Sequence, residues 1–295
     1  MHREPSVSVD RVLGLGLLLL AAGLVGNTLL GPLFLGVVTY PFTETVVNET
    51  LGLEAVSLGL VAPLAVVAAY FTLRAHAAGP VVALAPAAYS AYMLVQYVVG
   101  PQYPTYQPAI AGHAALFVLS AALLVRAWGS IDRSALPAIS RAWAVVIFLM
   151  TAFVVSRWVP AFGGMASGSA VPAADPDLTM YWSIFLLDVG LIVPAGIATG
   201  IGVLRGVPWA PAALYGLVGW FALVPPSVAA MSLVKLVRDD PNASGGDTVV
   251  FIVVTLLFWL VAGALYRKLR SGSSVRPIGT RAARPVRQPD AAARA

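Results

Sequence analysis

One carboxylate stands roughly midway along a long apolar run of this sequence. It is Asp188, in TMYWSIFLLDVGLIVPAGIATGIGVLR (179–205). A charge in hydrocarbon costs a few kcal/mol on insertion scales, so such a residue faces protein or water and is neutral or paired. A carboxylate placed this way can take up a proton, pair with a cation, or accept hydrogen bonds from neighbouring helices. At about 100° per residue, Asp188, Ala195, Thr199 and Gly202 share one side of a helix, with Gly196 and Gly200 beside them. Leu186, Val193, Ile197 and Leu204 lie opposite. Small residues let a neighbouring helix approach closely and bulky ones suit lipid, so Asp188 is expected to point into a bundle. Pro194 lacks an amide hydrogen and frees the Gly190 carbonyl near the carboxylate's own turn, a local polar niche.

Other polar groups fall in the same half of the bilayer when depth is counted from the ends of the apolar runs at ~1.5 Å per residue. Tyr92, Gln96 and His113 lie within their spans, and Arg157 and Lys235 lie near span ends. Together with Asp188 they would line an outer-facing polar cavity that binds or translocates a small solute, an ion or a lipid. The competing reading has Asp188 bonded to a tyrosine or paired with Arg157 to hold helices together, while the boundary charges extend to the interface. Pro225-Pro226 removes two backbone donors in the middle of an apolar run and should break the helix, leaving carbonyls that can bind a cation or hydroxyl. Asn27 reads as an interhelical hydrogen-bonding residue.

The familiar reactive constellations are missing. Cysteine is absent, and of the three histidines, His2, His76 and His113, only the last lies within an apolar run. Paired-histidine haem ligation and a histidine metal cluster are therefore not expected. No GxSxG, HExxH or P-loop pattern occurs. Asp239-Asp240 reads as a solvated surface pair. Asn48-Glu49-Thr50 and Asn242-Ala243-Ser244 match the glycosylation sequon and carry little weight. Neither a catalytic residue nor a cofactor is assigned.

The elements that must position Asp188 follow from composition. Of 295 residues, 59% are hydrophobic and only 11% charged. A soluble domain carries about 25% charged residues, so this is an integral membrane protein. Apolar runs at 12–38, 52–73, 80–99, 108–127, 139–160, 179–204, 208–236 and 248–267 are each near or above the roughly 20 residues a bilayer needs. The expected fold is all-α, a polytopic bundle of eight transmembrane helices. With the N-terminus cytoplasmic, fifteen of the 18 basic residues fall inside and only Arg157, Lys235 and Arg238 outside. By the positive-inside rule both termini are then cytoplasmic, in a cell membrane. Most acids, including Glu44, Glu49, Glu54 and Asp177, fall on the outer side or its boundary, so net basicity reports topology and not nucleic-acid binding.

Three regions follow: a short cytoplasmic segment 1–11, a membrane domain 12–268, and a basic tail 269–295 expected to be disordered because it is poor in apolar residues. Residues 39–51 are expected to form a short interfacial element, and 161–178 a flexible Gly/Ser/Ala/Pro loop.

Two strings repeat. Gly59-Leu60-Val61-Ala62-Pro63 aligns with Gly190-Leu191-Ile192-Val193-Pro194, and the same offset pairs Leu73-Arg74 with Leu204-Arg205. After a loop adjustment, APAAY (85–89) resembles APAALY (210–215). A duplication into two parallel four-helix halves would follow, related by an axis along the membrane normal, with Ser57 the counterpart of Asp188.

The runs YSAYMLVQYVVGPQYPTYQPAI (89–110) and LLDVGLIVPAGIATGIGVLRGVPW (186–209) resemble uncharacterised multi-pass membrane proteins of bacteria and archaea. The resemblance covers those two segments and implies no activity. The functional expectation is binding or translocation of a small-molecule ligand, ion or lipid. A non-catalytic scaffold or sensor subunit working with a protein partner or as an oligomer stands second, and a membrane enzyme third.

Overall fold

The computed structural model describes residues 9–171 and 177–272, every regular element being helical. Residues 1–8 of the expected N-terminal segment and 273–295 of the expected tail lie outside the described residues. Eight helices are long and apolar enough to cross a membrane: α1 (Arg11–Leu30), α2 (Glu44–Leu73), α3 (Ala78–Val99), α4 (Pro108–Ser130), α5 (Ala142–Ser167), α6 (Leu178–Arg205), α7 (Ala210–Val237) and α8 (Gly245–Leu269). The chain is an integral, multi-pass membrane protein. Large apolar side chains such as Leu19, Leu149, Leu186 and Leu260 remain more than 60% exposed, as a surface wetted by lipid requires.

Helix ends differ from the apolar runs in two places, for backbone reasons. The first run continues to 38, but α1 stops at Leu30 because Gly31-Pro32 follows and Pro32 offers no amide to the Thr28 carbonyl. The expected interfacial element at 39–51 is instead the first part of α2, which begins at Glu44. The Asp177 carboxylate ties down its start, accepting from the Thr43 amide (3.3 Å) and hydroxyl (2.7 Å). In place of a loop starting at 161, α5 continues to Ser167, where Gly168 turns left-handed (φ 68°); residues 172–176 lie outside the described residues.

Helices α2 and α6 each contain a π-helical segment, Ser57–Val61 and Asp188–Ile192. Both precede a proline. Pro63 and Pro194 cannot donate to Gly59 and Gly190, and the helix widens just before each. The Ala62 and Val193 amides then reach five residues back to the Ser57 and Asp188 carbonyls. The two π segments are 131 residues apart, as are the starts of α1 and α5 and the left-handed residues Ala75 (φ 53°) and Gly206 (φ 66°) that end α2 and α6. A gap-free offset also pairs Pro80 with Pro211 in the first turns of α3 and α7. The strings 85–89 and 210–215 therefore occupy different positions, the third turn of α3 and the start of α7.

Packing follows the same pairing. The second half of α2 lies against α1, and that of α6 against α5; the first half of α2 lies on the end of α7, and that of α6 on α3. Helices α3 and α7 meet at the centre, where Leu84, Tyr89, Tyr215 and Phe221 are buried.

The start of α1 is fastened to the end of α4 through Asp10. Its carboxylate caps α1 at the Leu13 amide (3.0 Å) and accepts from Arg126 Nε (2.9 Å) and the Ser130 hydroxyl (2.9 Å). Partial burial pushes this carboxyl up, but the Leu13, Arg126 and Ser130 donors outweigh it and hold the group below the usual carboxylate range. Because the folded state lowers this pKa, the contribution is present above the unfolded value of about 3.9 and is lost as pH falls through the folded one. Asp10→Ala is expected to cost about 1–2 kcal/mol at pH 7. Its unfolding midpoint should converge with wild type as pH drops below about 4; a gap that persists unchanged at acid pH would contradict the assignment.

Candidate functional site

The π segment of α6 turns Asp188 inward, and the side chain is 2% exposed. Its Oδ1 accepts from the Tyr92 hydroxyl of α3 (2.7 Å), and its Oδ2 from Trp158 Nε1 of α5 (2.9 Å). Arg157 Nη1 stands 3.7 Å from Oδ2, its side chain about one third exposed. The guanidinium also lies over the Trp158 ring, 5.9 Å from its centroid. Edges of Tyr181 and Phe185 enclose that indole at 5.3 and 5.1 Å. Both carboxylate oxygens thus have a charge-assisted or neutral donor, and three helices meet at one residue.

Beside this group lies a cavity of about 410 Å³ between α3, α4, α6 and α7. Ala88, Tyr92, Phe117, Leu191, Ala195 and Trp220 are among its walls. Its lining is almost wholly apolar, with Tyr92 at one end and Thr199 and Trp128 toward the other. Tyr92 joins the two features: its ring faces the cavity with Trp220 edge-on at 5.2 Å, while its hydroxyl holds Asp188. Leu191 on the wall is more than half exposed, so the cavity opens sideways between α4 and α6.

Of the residues singled out from the sequence, the structure brings Tyr92, Arg157 and Asp188 together. Gln96, one turn along α3, is buried with its amide nitrogen 3.8 Å from Met93 Sδ. His113 belongs to a different group: its Nε2 is 2.7 Å from Asn27 Oδ1, and its ring stacks on Tyr40 and Tyr97. Asn27 therefore makes the interhelical bond expected of it. Lys235 is bound to Glu49 at 2.6 Å, on the α2–α7 contact.

Pro225 and Pro226 start a new helical stretch at Val224, occupying first-turn positions that need no amide. Pro226 deprives the Ala222 carbonyl of its partner, and Trp259 Nε1 of α8 takes that place at 2.8 Å. Pro225 borders a void of about 20 Å³ shared with Arg157 and Asp188.

Three polar residues have roles that differ from their sequence reading. Asp240 is not solvated but buried, accepting from Thr45 (3.1 Å) and Asn48 (2.8 Å) at the start of α2. Asn48 is consequently 1% exposed, so that sequon is closed to a glycan in the folded chain. Glu54 is fully buried ten residues into α2 instead of lying at the outer boundary. Helical spacing carried back through TETVVNETLGLEAV was the signal that would have placed it. Among the described residues, no group of three His, Asp or Glu side chains is placed to hold a metal ion. Comparison of the chain with protein-family models, with curated proteins and with solved structures finds no match.

Tyr92→Phe removes one donor from a buried carboxylate and is expected to cost about 1.5–3 kcal/mol. In a double-mutant cycle with Asp188→Asn, measured by unfolding in detergent, the two losses should fall short of additivity by at least ~0.5 kcal/mol. Simple additivity would show that the 2.7 Å bond carries no energy.

Proposed function

We propose that this membrane protein binds a lipid or lipid-like amphipathic molecule taken sideways from the bilayer, its apolar chain in the cavity between α3, α4, α6 and α7. The observation that carries the reading is the cavity itself: about 410 Å³, nearly devoid of polar lining, and ending at a tyrosine whose hydroxyl is on a buried carboxylate. Apolar pockets with a few placed polar groups are the usual form of small-molecule sites. At membrane depth the molecules able to enter are those already dissolved in the hydrocarbon. In this reading Asp188 fixes Tyr92 at the end of the cavity, and a ligand's polar end is recognised near Tyr92 and Arg157.

The walls include Ala88 and Ala195, whose enlargement fills the space without adding charge. Native mass spectrometry of the purified protein should show a retained lipid or other hydrophobic molecule. Ala88→Leu with Ala195→Phe should cut that retention at least tenfold while the protein stays folded. Equal retention by wild type and the filled variant would sink the proposal.

The termini are assigned to the cytoplasmic side of a cell membrane, on the support of the basic-residue asymmetry of the sequence. The chain lacks cysteine, so single reporters can be introduced cleanly. Ser169→Cys should react with an impermeant maleimide in intact cells, and Ser140→Cys only after permeabilisation. The reverse pattern would invert the assignment.

The chain is also inferred to be two four-helix repeats. Support comes from the shared 131-residue offset of helix starts, π segments and left-handed turns, three features that apolar composition alone does not align. On that alignment Ser57 is the counterpart of Asp188, and Asn27 that of Trp158.

A further inference from the structure

At the end of the bundle where α1 begins, a cavity of about 610 Å³ lies among the start of α1, the turn from α2 to α3 and the end of α4. Asp10, Arg11, His76, Arg126, Ser130 and Asp132 stand on its wall, so it is polar where the lateral cavity is apolar. The fold alone does not call for that furnishing. Thr72, Ala75, His76, Ala77 and Pro80 line it, and the residues 131 positions later, Val203, Gly206, Val207, Pro208 and Pro211, line a cavity of about 420 Å³ at the turn from α6 to α7. The same backbone hollow thus occurs twice. In the second, valines stand in place of Thr72 and His76, and α5 starts with Ala142 where α1 starts with Arg11. Polar side chains at these positions are therefore not a requirement of the turn or of the helix packing.

Both acids on the wall already have donors. The Asp10 carboxylate accepts from Leu13, Arg126 and Ser130, and the Asp132 carboxylate from the Ser134 amide (2.9 Å) and hydroxyl (2.6 Å). The hydroxyl protons of Ser130 and Thr72 are committed to Asp10 and to the Ala68 carbonyl. The basic groups keep donors in hand. Among the described residues Arg11 enters no ion pair, and Arg126 gives Nε and Nη2 to Asp10 and keeps Nη1. His76 Nδ1 accepts the Ala78 amide at 3.1 Å, which leaves the ring proton on Nε2 as a further donor. Phe71 packs against that imidazole at 5.1 Å and holds its orientation. Helices α1 and α3 both begin at this cavity, so the positive ends of two long helices add to the field. The spare hydrogen-bonding capacity of the wall is that of cationic and neutral donors, which suits an anion.

We propose that this cavity binds a phosphate monoester through Arg11, Arg126 and His76. Such a group presents three strong acceptor oxygens, one for each of the three donor side chains. The volume exceeds what a phosphate alone fills and lies within the ~300–1,000 Å³ of small-molecule sites, so the cavity encloses part of the organic group as well. Arg11, Arg126 and Asp132 are exposed, which leaves the site open to a soluble organic phosphate and to the headgroup of a lipid such as phosphatidic acid. The chemistry of recognition is the same for both. This site is independent of the lateral cavity and stands or falls without it.

The test uses full-length protein in phosphatidylcholine nanodiscs, with glycerol phosphate replacing NaCl at constant ionic strength and fixed pH. A second arm adds no solute and replaces part of the phosphatidylcholine with phosphatidic acid. The expected result is a saturable rise in unfolding midpoint, in the first arm for a soluble ligand and in the second alone for a headgroup. Arg11→Gln removes an exposed cation, and His76→Asn keeps an acceptor for the Ala78 amide while removing the Nε2 donor. Each should raise half-saturation at least tenfold, whereas Arg141→Gln, an exposed basic residue at the same end of the bundle, should leave it unchanged. If His76→Asn does not fold, Arg11→Gln against Arg141→Gln carries the comparison. No response in either arm overturns the site, as does a response undiminished in Arg11→Gln or equally weakened in Arg141→Gln. A rise that sodium sulfate reproduces at equal concentration overturns it too, because the cavity would then collect anions without recognising a phosphate ester.

Discussion

A carboxylate within the hydrocarbon must be given its donors by the protein, since no water is there to supply them. Asp188 meets that requirement with a phenol from α3 and an indole from α5, and Arg157 adds a nearby positive charge. Because the two donors come from different helices, the carboxylate fixes three elements against one another at one depth. The geometry also explains the shape beside it. Tyr92 is held by its hydroxyl, so its ring forms part of the wall of the space flanked by α4, α6 and α7. A residue that in isolation would be a burden thus sets both the packing and the end of the lateral cavity.

Backbone accounting governs the rest of the bundle in the same way. Each proline inside a span removes a donor, and in hydrocarbon the freed carbonyl must find another. The π segments before Pro63 and Pro194 lengthen the hydrogen bond instead of breaking the helix. At Pro226 the indole of Trp259 reaches across from α8 to the Ala222 carbonyl. These are two solutions to one deficit, and the first occurs twice, 131 residues apart. The widened turn at 188–192 also rotates the following residues, which is how Asp188 and Ile192 are both buried while Leu191 reaches lipid.

Much of this was legible in the residues. Eight spans follow from apolar length, and Asp188 with Tyr92 and Arg157 from helical phase and depth. Hydropathy could not show where α2 begins. The segment TETVVNET is too polar to read as a span, yet Asp240 and Lys235 satisfy its Thr45, Asn48 and Glu49 from the far end of the chain. With that start hidden, Glu54 looked like a boundary acid. Counting depth grouped His113 and Gln96 with Asp188, whereas their neighbours are Asn27 and Met93, because depth along a helix does not specify which helices meet. The central contact of α3 with α7, and of α4 with α1, is a matter of tertiary packing that periodicity does not carry.

The two buried carboxylates invite a comparison. Asp188 has a donor for each oxygen and an arginine nearby, so its surroundings account for its charge without a third party. Glu54 is equally buried, yet its backbone donor is the Leu33 amide and it stands at the carbonyl end of α1. If burial alone dictated partners, the two sites would be furnished alike. Their difference lies in the elements that reach them: donors from two other helices converge on Asp188, whereas Glu54 meets the turn that ends α1.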